Sequence, residues 1–382
     1  MDTNGSGSRG LGRGVTAALN LTRLRTITPR QTMTLVRNAS TQAVTTSEAL
    51  DFLALVSIVC EIYRNYEGEL ISVRHFHRGA EKHEGSGHTC IVSRRAISTP
   101  APSKVTRGLT ETTEEDIIVK RTLKSTLAPN SDALKSLIAE LRIRAHPPLR
   151  LHPNIVDLKG VAVDFEDDEA TRPRFLLLEE LASERSIEHF WTNVDLVRMP
   201  FSAKAGLCLD IARGLRALHR CGVAHGDIKP DNILVFKKTR SPDEFVAKLT
   251  DFGHSVFHYE PHLMAWSPPW NAPEVDPTTG HSPDFDGIKR ADIYSFGLVV
   301  VSVVIGRDVF KCHGEFEDEA AIKRYKSDGN MLSKMVKIVE EEDKQNPDSD
   351  FDLVTLRLLL GACLQLQPQS RDLEECIRIL NE

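Results

Sequence analysis

The sequence predicts an α+β fold, with strand-forming runs in the first half of its patterned region and helices in the second. Three observations carry this. Asp116 to Lys120 (DIIVK) and Phe175 to Leu181 (FLLLEEL) are short apolar runs of strand type. Ala291 to Gly306 (ADIYSFGLVVVSVVIG) is apolar all round and reads as a helix buried on every side. Between them, residues 221–253 (CGVAHGDIKPDNILVFKKTRSPDEFVAKLTDFG) read as a helix stop, a loop and a hairpin.

At 382 residues and 41% hydrophobic content the chain holds ample material for one large or two ordinary domains. The net charge of −6 is small and not gathered into one block, so no nucleic-acid partner is expected. Seven scattered cysteines without a CxxC pair exclude a disulfide framework and a thiolate zinc site, and point to a reducing, cytoplasmic setting. No run reaches the roughly 18–20 apolar residues of a membrane span.

Taken in order, residues 1–45 are rich in Gly, Ser, Thr and Arg, lack sustained apolar periodicity, and are expected to be a disordered tail. Their six arginines against the single acid Asp2 leave mitochondrial targeting as the alternative localisation. Residues 46–66 predict a helix, opened by Thr and Ser ahead of Glu48, whose broad apolar surface packs on the next domain. Glu84 to Val92 (EGSGHTCIV) places Gly85 and Gly87 where a strand turn brings backbone N–H groups close to phosphates. Ser98 to Glu115 reads as a long exposed hairpin loop before the strand ending at Lys120. Asp132 to Ala145 reads as a helix, and the segment from Asp352 onward as two helices parted by Gln365 to Arg371.

In residues 221–253 the helix IARGLRALHRCG ends at Gly222, and strands at Ile233 to Phe236 and Phe245 to Leu249 meet through a turn at Ser241-Pro242-Asp243. This hairpin brings Asp227, Lys229 and Asn232 close to Asp251, a combination suited to phosphoryl transfer. That chemistry asks for an acceptor of a hydroxyl proton, a cation for the phosphoryl group, and oxygen ligands for Mg²⁺. HGDIKPDN (His225 to Asn232) followed by DFG (Asp251 to Gly253) resembles the catalytic loop and Mg²⁺-binding segment of eukaryotic protein kinases.

The resemblance covers about residue 70 to the end and implies a two-lobed protein kinase fold. A small β-rich lobe (about 67–180) precedes a larger, mainly helical lobe (about 181–382), with MgATP in the cleft. A helix like that of residues 46–66 often precedes the small lobe in fungal kinase-like proteins. By the same resemblance Asp227 accepts the substrate proton, Lys229 neutralises the γ-phosphate, and Asn232 and Asp251 hold Mg²⁺. Gly85 and Gly87 cover the phosphates, Val92 the base, and Lys120 anchors the phosphates with Glu140 as its partner. Leu178 stands as gatekeeper at the back of the cleft, and Glu179 to Leu181 offer backbone groups to adenine. Ala272-Pro273-Glu274 closes an activation segment with Ser255, Tyr259 and Ser267 as its phosphorylatable residues; Arg371 pairs with Glu274, and Asp292 holds the catalytic loop.

Two departures stand out: Cys90 replaces the third glycine of the loop, and Arg144 falls where the family usually has an apolar residue. Lys229 and Ser267 resemble the serine/threonine type, which implies a protein substrate. Gly226 replaces the arginine that gathers an activating phosphate, so control by phosphorylation of the segment is not expected unless a residue such as Lys248 supplies the charge. The alternatives are a non-catalytic pseudokinase that binds ATP as a scaffold, and a small-molecule phosphotransferase of the aminoglycoside or choline type, which lacks the DFG and APE elements.

Overall fold

The computed structural model describes residues 55, 57–62, 82–86, 90–100, 112–122, 132–165, 173–193, 199–238, 241–258, 267–279, 283–316, 318–346 and 350–382. Five antiparallel strands form the first lobe: β1 (Lys82–Ser86), β2 (Cys90–Pro100), β3 (Thr112–Thr122), β4 (Leu158–Phe165) and β5 (Pro173–Glu180), in the order β1-β2-β3-β5-β4. β2 and β3 pair along their whole length, from Cys90 opposite Thr122 to Pro100 opposite Thr112. The expected loop at Ser98 to Glu115 is therefore shorter, its ends drawn into the ladder because paired backbone groups need no other partner.

Helix α1 (Asp132–Ala145) lies against this sheet and has the bounds expected from sequence. Its Leu134, Leu137 and Leu141, spaced for one helical face, pack on Leu158, Val161 and Leu177. Leu55 and Ile62, in a helical stretch within residues 55–62, join the same cluster, so this part of the expected leading helix does pack on the sheet lobe. The other sheet face buries Ile117, Val119, Ala162, Leu176 and Leu178.

The second lobe is built around three features. After α2 (Pro147–Arg150) and α3 (Ile187–Asn193), α4 (Phe201–Arg220) runs to Gly222, whose φ of +72° ends it as expected. The short strand β6 (Val223–Ala224) enters the catalytic loop, and β7 (Ile233–Lys238) pairs with β8 (Ser241–Leu249). Ser241, Pro242 and Asp243 lie in β8 and form no turn; a register shift after Lys237 lets the ladder continue past the expected strand ends. β9 (Val256–Phe257) pairs with β6.

Helix α5 (Phe285–Ile305) is buried along nearly its whole length and ends at Gly306, φ +73°. It begins six residues before the expected Ala291, because the Asp284 carboxylate accepts the N–H of Gly287 and caps an earlier turn. Asp292 therefore lies two turns inside the helix and not at its start. Helices α6 (Val309–Cys312), α7 (Glu319–Ser327), α8 (Met331–Gln345), α9 (Leu353–Cys363) and α10 (Leu373–Asn381) complete the lobe. Among the described residues no helix is long and apolar enough to cross a membrane.

Candidate active site

The loop between β6 and β7 is fixed from beneath by α5. Asp292 Oδ2 accepts the N–H of His225 at 2.8 Å and Oδ1 that of Gly226 at 2.9 Å, while His219 Nε2 meets Oδ2 at 2.9 Å. His225, fully buried, has Nε2 3.1 Å from the Thr250 carbonyl and Nδ1 3.3 Å from the Asp227 N–H. A carbonyl on one nitrogen and an N–H on the other require the neutral Nε2–H form, and burial lowers the imidazole pKa in the same direction. Gly226 has φ +76°, and a Cβ there would stand 2.8 Å from the His254 carbonyl oxygen.

Asp227 emerges from this support with three donors on its carboxylate. Lys229 Nζ lies 2.7 Å and Asn232 Nδ2 2.9 Å from Oδ2, and Ser267 Oγ donates to Oδ1 at 2.8 Å. Lys229 also reaches Ser267 Oγ at 3.1 Å. The second amide proton of Asn232 goes to the Asp227 carbonyl at 2.8 Å, leaving the amide oxygen as an acceptor.

Across the hairpin, Asp251 adopts φ +61°, uncommon for a non-glycine residue. Its Oδ1 is 2.8 Å from Lys120 Nζ, and Lys120 lies 2.9 and 3.2 Å from the two oxygens of Glu140. The attraction of Lys120, working against burial, holds the Asp251 carboxyl well below the usual carboxylate range. Helix α1 comes this close because residue 253 is glycine: a Cβ would meet Ser136 Oγ at 2.0 Å. The segments of Lys120 and Asp251, 131 residues apart in the chain, thus meet in one place.

The remaining expected residues divide. Val92 pairs with Lys120 and shares its sheet face. Gly85 pairs with Val92 at the end of β1, whereas Gly87 lies outside the described residues. Leu181 is half-buried just after β5. Leu178 is placed differently from expectation. It pairs with Val119 and is buried on the far face, while Leu177 pairs with Lys120 and Glu179 with Ile118. Glu179 is therefore the side chain on the lysine's face, because facing positions in an antiparallel pair share a face. Burial raises its carboxyl pKa, and Arg144 opposes that shift.

Farther along, Arg371 Nη2 meets Glu274 Oε2 at 3.0 Å, and Arg371 Nε donates to the Gln365 carbonyl at 2.8 Å. Ser255 is 7% exposed and its hydroxyl donates to the His225 carbonyl, so it is not a surface acceptor for phosphate. Tyr259 lies outside the described residues. Lys248 is engaged with both oxygens of Glu180, at 2.7 and 2.9 Å, and so is not held in reserve for a phosphate near Gly226.

Two further residues escaped the sequence reading. Lys326 on α7 donates to the carbonyls of Pro268, Pro269 and Asn271 at 2.7, 2.9 and 2.6 Å, holding the stretch that carries Ser267; nothing in KRYK marks it. Arg144, noticed only as a departure, is the centre of a buried network. Its place one helical turn after Glu140 was the available signal.

Oxygen donors from Asn232 and Asp251 suit Mg²⁺, which takes few protein ligands and completes its shell with phosphate and water. Among the described residues no cluster of His, Cys, Asp or Glu is arranged to hold a metal alone.

Residues 95–376 match the family model for the protein kinase domain. A probable LRR receptor-like serine/threonine-protein kinase of Arabidopsis thaliana is 28% identical over 179 residues, 45% of this chain and 16% of the relative. The human dual specificity testis-specific protein kinase 1 is 32% identical over 161 residues, 40% of this chain and 23% of that protein. The CBL-interacting serine/threonine-protein kinase 7 of Arabidopsis thaliana is 32% identical over 192 residues, 49% of this chain and 38% of that protein. The matched regions thus span well under half of each relative's length. The family match runs from β2 to the last helix and contains Lys120, Glu140, the catalytic loop and Asp251, and the chain belongs to the eukaryotic protein kinase family.

Proposed function

We propose that the chain transfers the γ-phosphoryl group of MgATP to serine or threonine hydroxyls of protein substrates. The observation that carries this reading is the double engagement of Lys120 with Glu140 and Asp251, opposite an Asp227 held by Lys229, Asn232 and Ser267. Phosphoryl transfer needs positioning and charge neutralisation more than covalent chemistry, and these groups supply both. Lys120 anchors the nucleotide phosphates. Asp227 accepts the proton of the acceptor hydroxyl, and Lys229 offsets charge on the transferred group.

Asn232 and Asp251 would hold Mg²⁺, which when bound neutralises phosphate charge. Backbone groups of Glu179 to Leu181 would meet the base, and Gly85 with Gly87 the phosphates. Serine/threonine preference draws on the contact of Lys229 with Ser267 and on the names of the plant relatives; the dual specificity relatives make acceptor choice the point to measure.

The test is transfer of labelled γ-phosphate to peptide libraries with Ser, Thr or Tyr acceptors, with Lys120→Met as the negative control. Incorporation into Ser/Thr peptides that vanishes in the variant is expected. Binding of MgATP without incorporation into any acceptor would overturn the catalytic reading, and equal incorporation into Tyr peptides would overturn the acceptor assignment.

A further inference from the structure

Arg144 is a charged residue at the centre of the first lobe's junction with the second. Its side chain is 1% exposed, and that of Glu179, 3.2 Å away, is 6% exposed. From α1 the guanidinium reaches four places at once. Nη2 donates to Glu140 Oε1 at 2.9 Å and to Thr250 Oγ1 at 3.1 Å, Nη1 donates to the Val156 carbonyl at 3.4 Å, and Nη2 lies 3.2 Å from Glu179 Oε1 on β5, an ion pair without a hydrogen bond. The guanidinium carbon lies 5.4 Å from the centre of the Phe252 ring. Thr250 and Phe252 flank Asp251, so Arg144 touches both neighbours of the residue that Lys120 holds.

Glu140 is shared. Its Oε1 is 2.9 Å from Arg144 and 3.2 Å from Lys120, whereas Oε2 serves Lys120 at 2.9 Å. Were Glu140 its sole carboxylate, the buried Arg144 would share that charge with Lys120, which also holds Asp251, and a buried cation with a shared counter-charge is costly. Glu179 is the second carboxylate within ion-pair distance of Arg144.

We propose that Arg144 and Glu179 act as a co-dependent pair of positioning residues: Glu179 draws the Arg144 guanidinium toward β5, so that Glu140 keeps its grip on Lys120 and the lysine stays aimed at the nucleotide phosphates. An ionic tie from α1 to β5 and to the segment of Asp251 thus stands where apolar packing alone would do the same mechanical work. Removing Glu179 leaves Arg144 with Glu140 as its one ion-pair carboxylate among the described residues and pulls Glu140 from Lys120. Replacing both by apolar residues removes the competition, and such exchanges of a buried pair are often neutral or stabilising.

This inference rests on the cleft being a nucleotide site, and the experiment separates the two. Calorimetric titration with MgAMP-PNP is run on the unmodified chain and on Glu179→Leu, Glu179→Gln and Arg144→Leu/Glu179→Leu, each also followed by thermal melting and by steady-state kinetics. Glu179→Leu and Glu179→Gln are expected to weaken binding about 10- to 100-fold, as loss of a charged contact does, with a raised KM for ATP exceeding the loss in kcat. The double variant should recover most of that affinity. Unchanged binding by both single variants, or a double variant as weak as the weaker single one, would overturn the pairing. Should Glu179→Leu fail to fold, the near-isosteric Glu179→Gln decides alone. No binding by the unmodified chain would overturn the nucleotide reading itself and this inference with it.

Discussion

Asp292→Asn tests the support beneath the catalytic loop. In the native chain two carboxylate oxygens accept two backbone N–H groups and approach one imidazole nitrogen, in a side chain that is 3% exposed. Asparagine offers one oxygen and one NH₂, so whichever way it turns, a donor faces a donor and one buried backbone N–H loses its acceptor. A hydrogen bond to a charged group contributes about 1.5–3 kcal/mol, and an orphaned buried donor costs about 1–3 kcal/mol. We expect a loss of about 3 kcal/mol, which at roughly 2–4 °C per kcal/mol lowers the melting temperature by about 6–12 °C. Turnover should fall more than MgAMP-PNP affinity, because Asp227 hangs from the two supported N–H groups whereas Lys120 is held by Glu140 and Asp251. Differential scanning calorimetry with parallel titration and phosphate transfer reads all three quantities. A melting point within about 2 °C of the parent's, together with parental turnover, would refute the reasoning.

Three other outcomes are expected from the geometry. Asp227→Asn should cost about 100- to 10,000-fold in rate with nucleotide binding nearly intact, whereas Asp251→Asn should weaken Mg²⁺-dependent binding as well; more than about half the parental rate in Asp227→Asn would sink the assignment. Gly226→Ala forces a side chain into φ +76° with its Cβ 2.8 Å from the His254 carbonyl, and should destabilise the fold by about 1–3 kcal/mol, so urea curves that superimpose on the parent's would count against it. Although Asp231 stands at the surface, desolvation of its carboxyl beside Glu188, and then their hydrogen bond, push it up to about 7. A raised carboxyl stabilises the fold fully below its unfolded pKa of about 4 and loses that contribution as pH climbs through about 7. The melting temperature should therefore drop between pH 5 and pH 8 by less in Asp231→Asn than in the parent, and equal drops in the two proteins would exclude this group.

The core of the site was legible because it is local. Asp227, Lys229 and Asn232 lie on one short loop, and their spacing fixes their convergence once Gly222 stops α4 and β7 begins. Order along the chain carried the rest of the expected set, since Lys120, Glu140, Asp251, Glu274, Asp292 and Arg371 succeed one another as the resemblance requires, and the pairs Lys120–Glu140 and Arg371–Glu274 are both formed.

What sequence left open was which face, and which partner, each polar residue would take. In FLLLEEL the alternation of side chains is certain but its parity is not, because a shift of one residue exchanges the two faces. The pairing of β5 with β3 sets that parity, turning Leu178 away from the cleft and Glu179 toward Arg144. The same holds for Ser255, which reads as an accessible hydroxyl until its approach to the His225 carbonyl buries it, and for Lys248, which Glu180 captures from across a fold that brings them together over 68 positions. Residue types and short spacings determine which groups can do chemistry on one loop. Partners for long charged side chains are chosen by packing, because a buried cation must find its carboxylate wherever the chain brings one within reach.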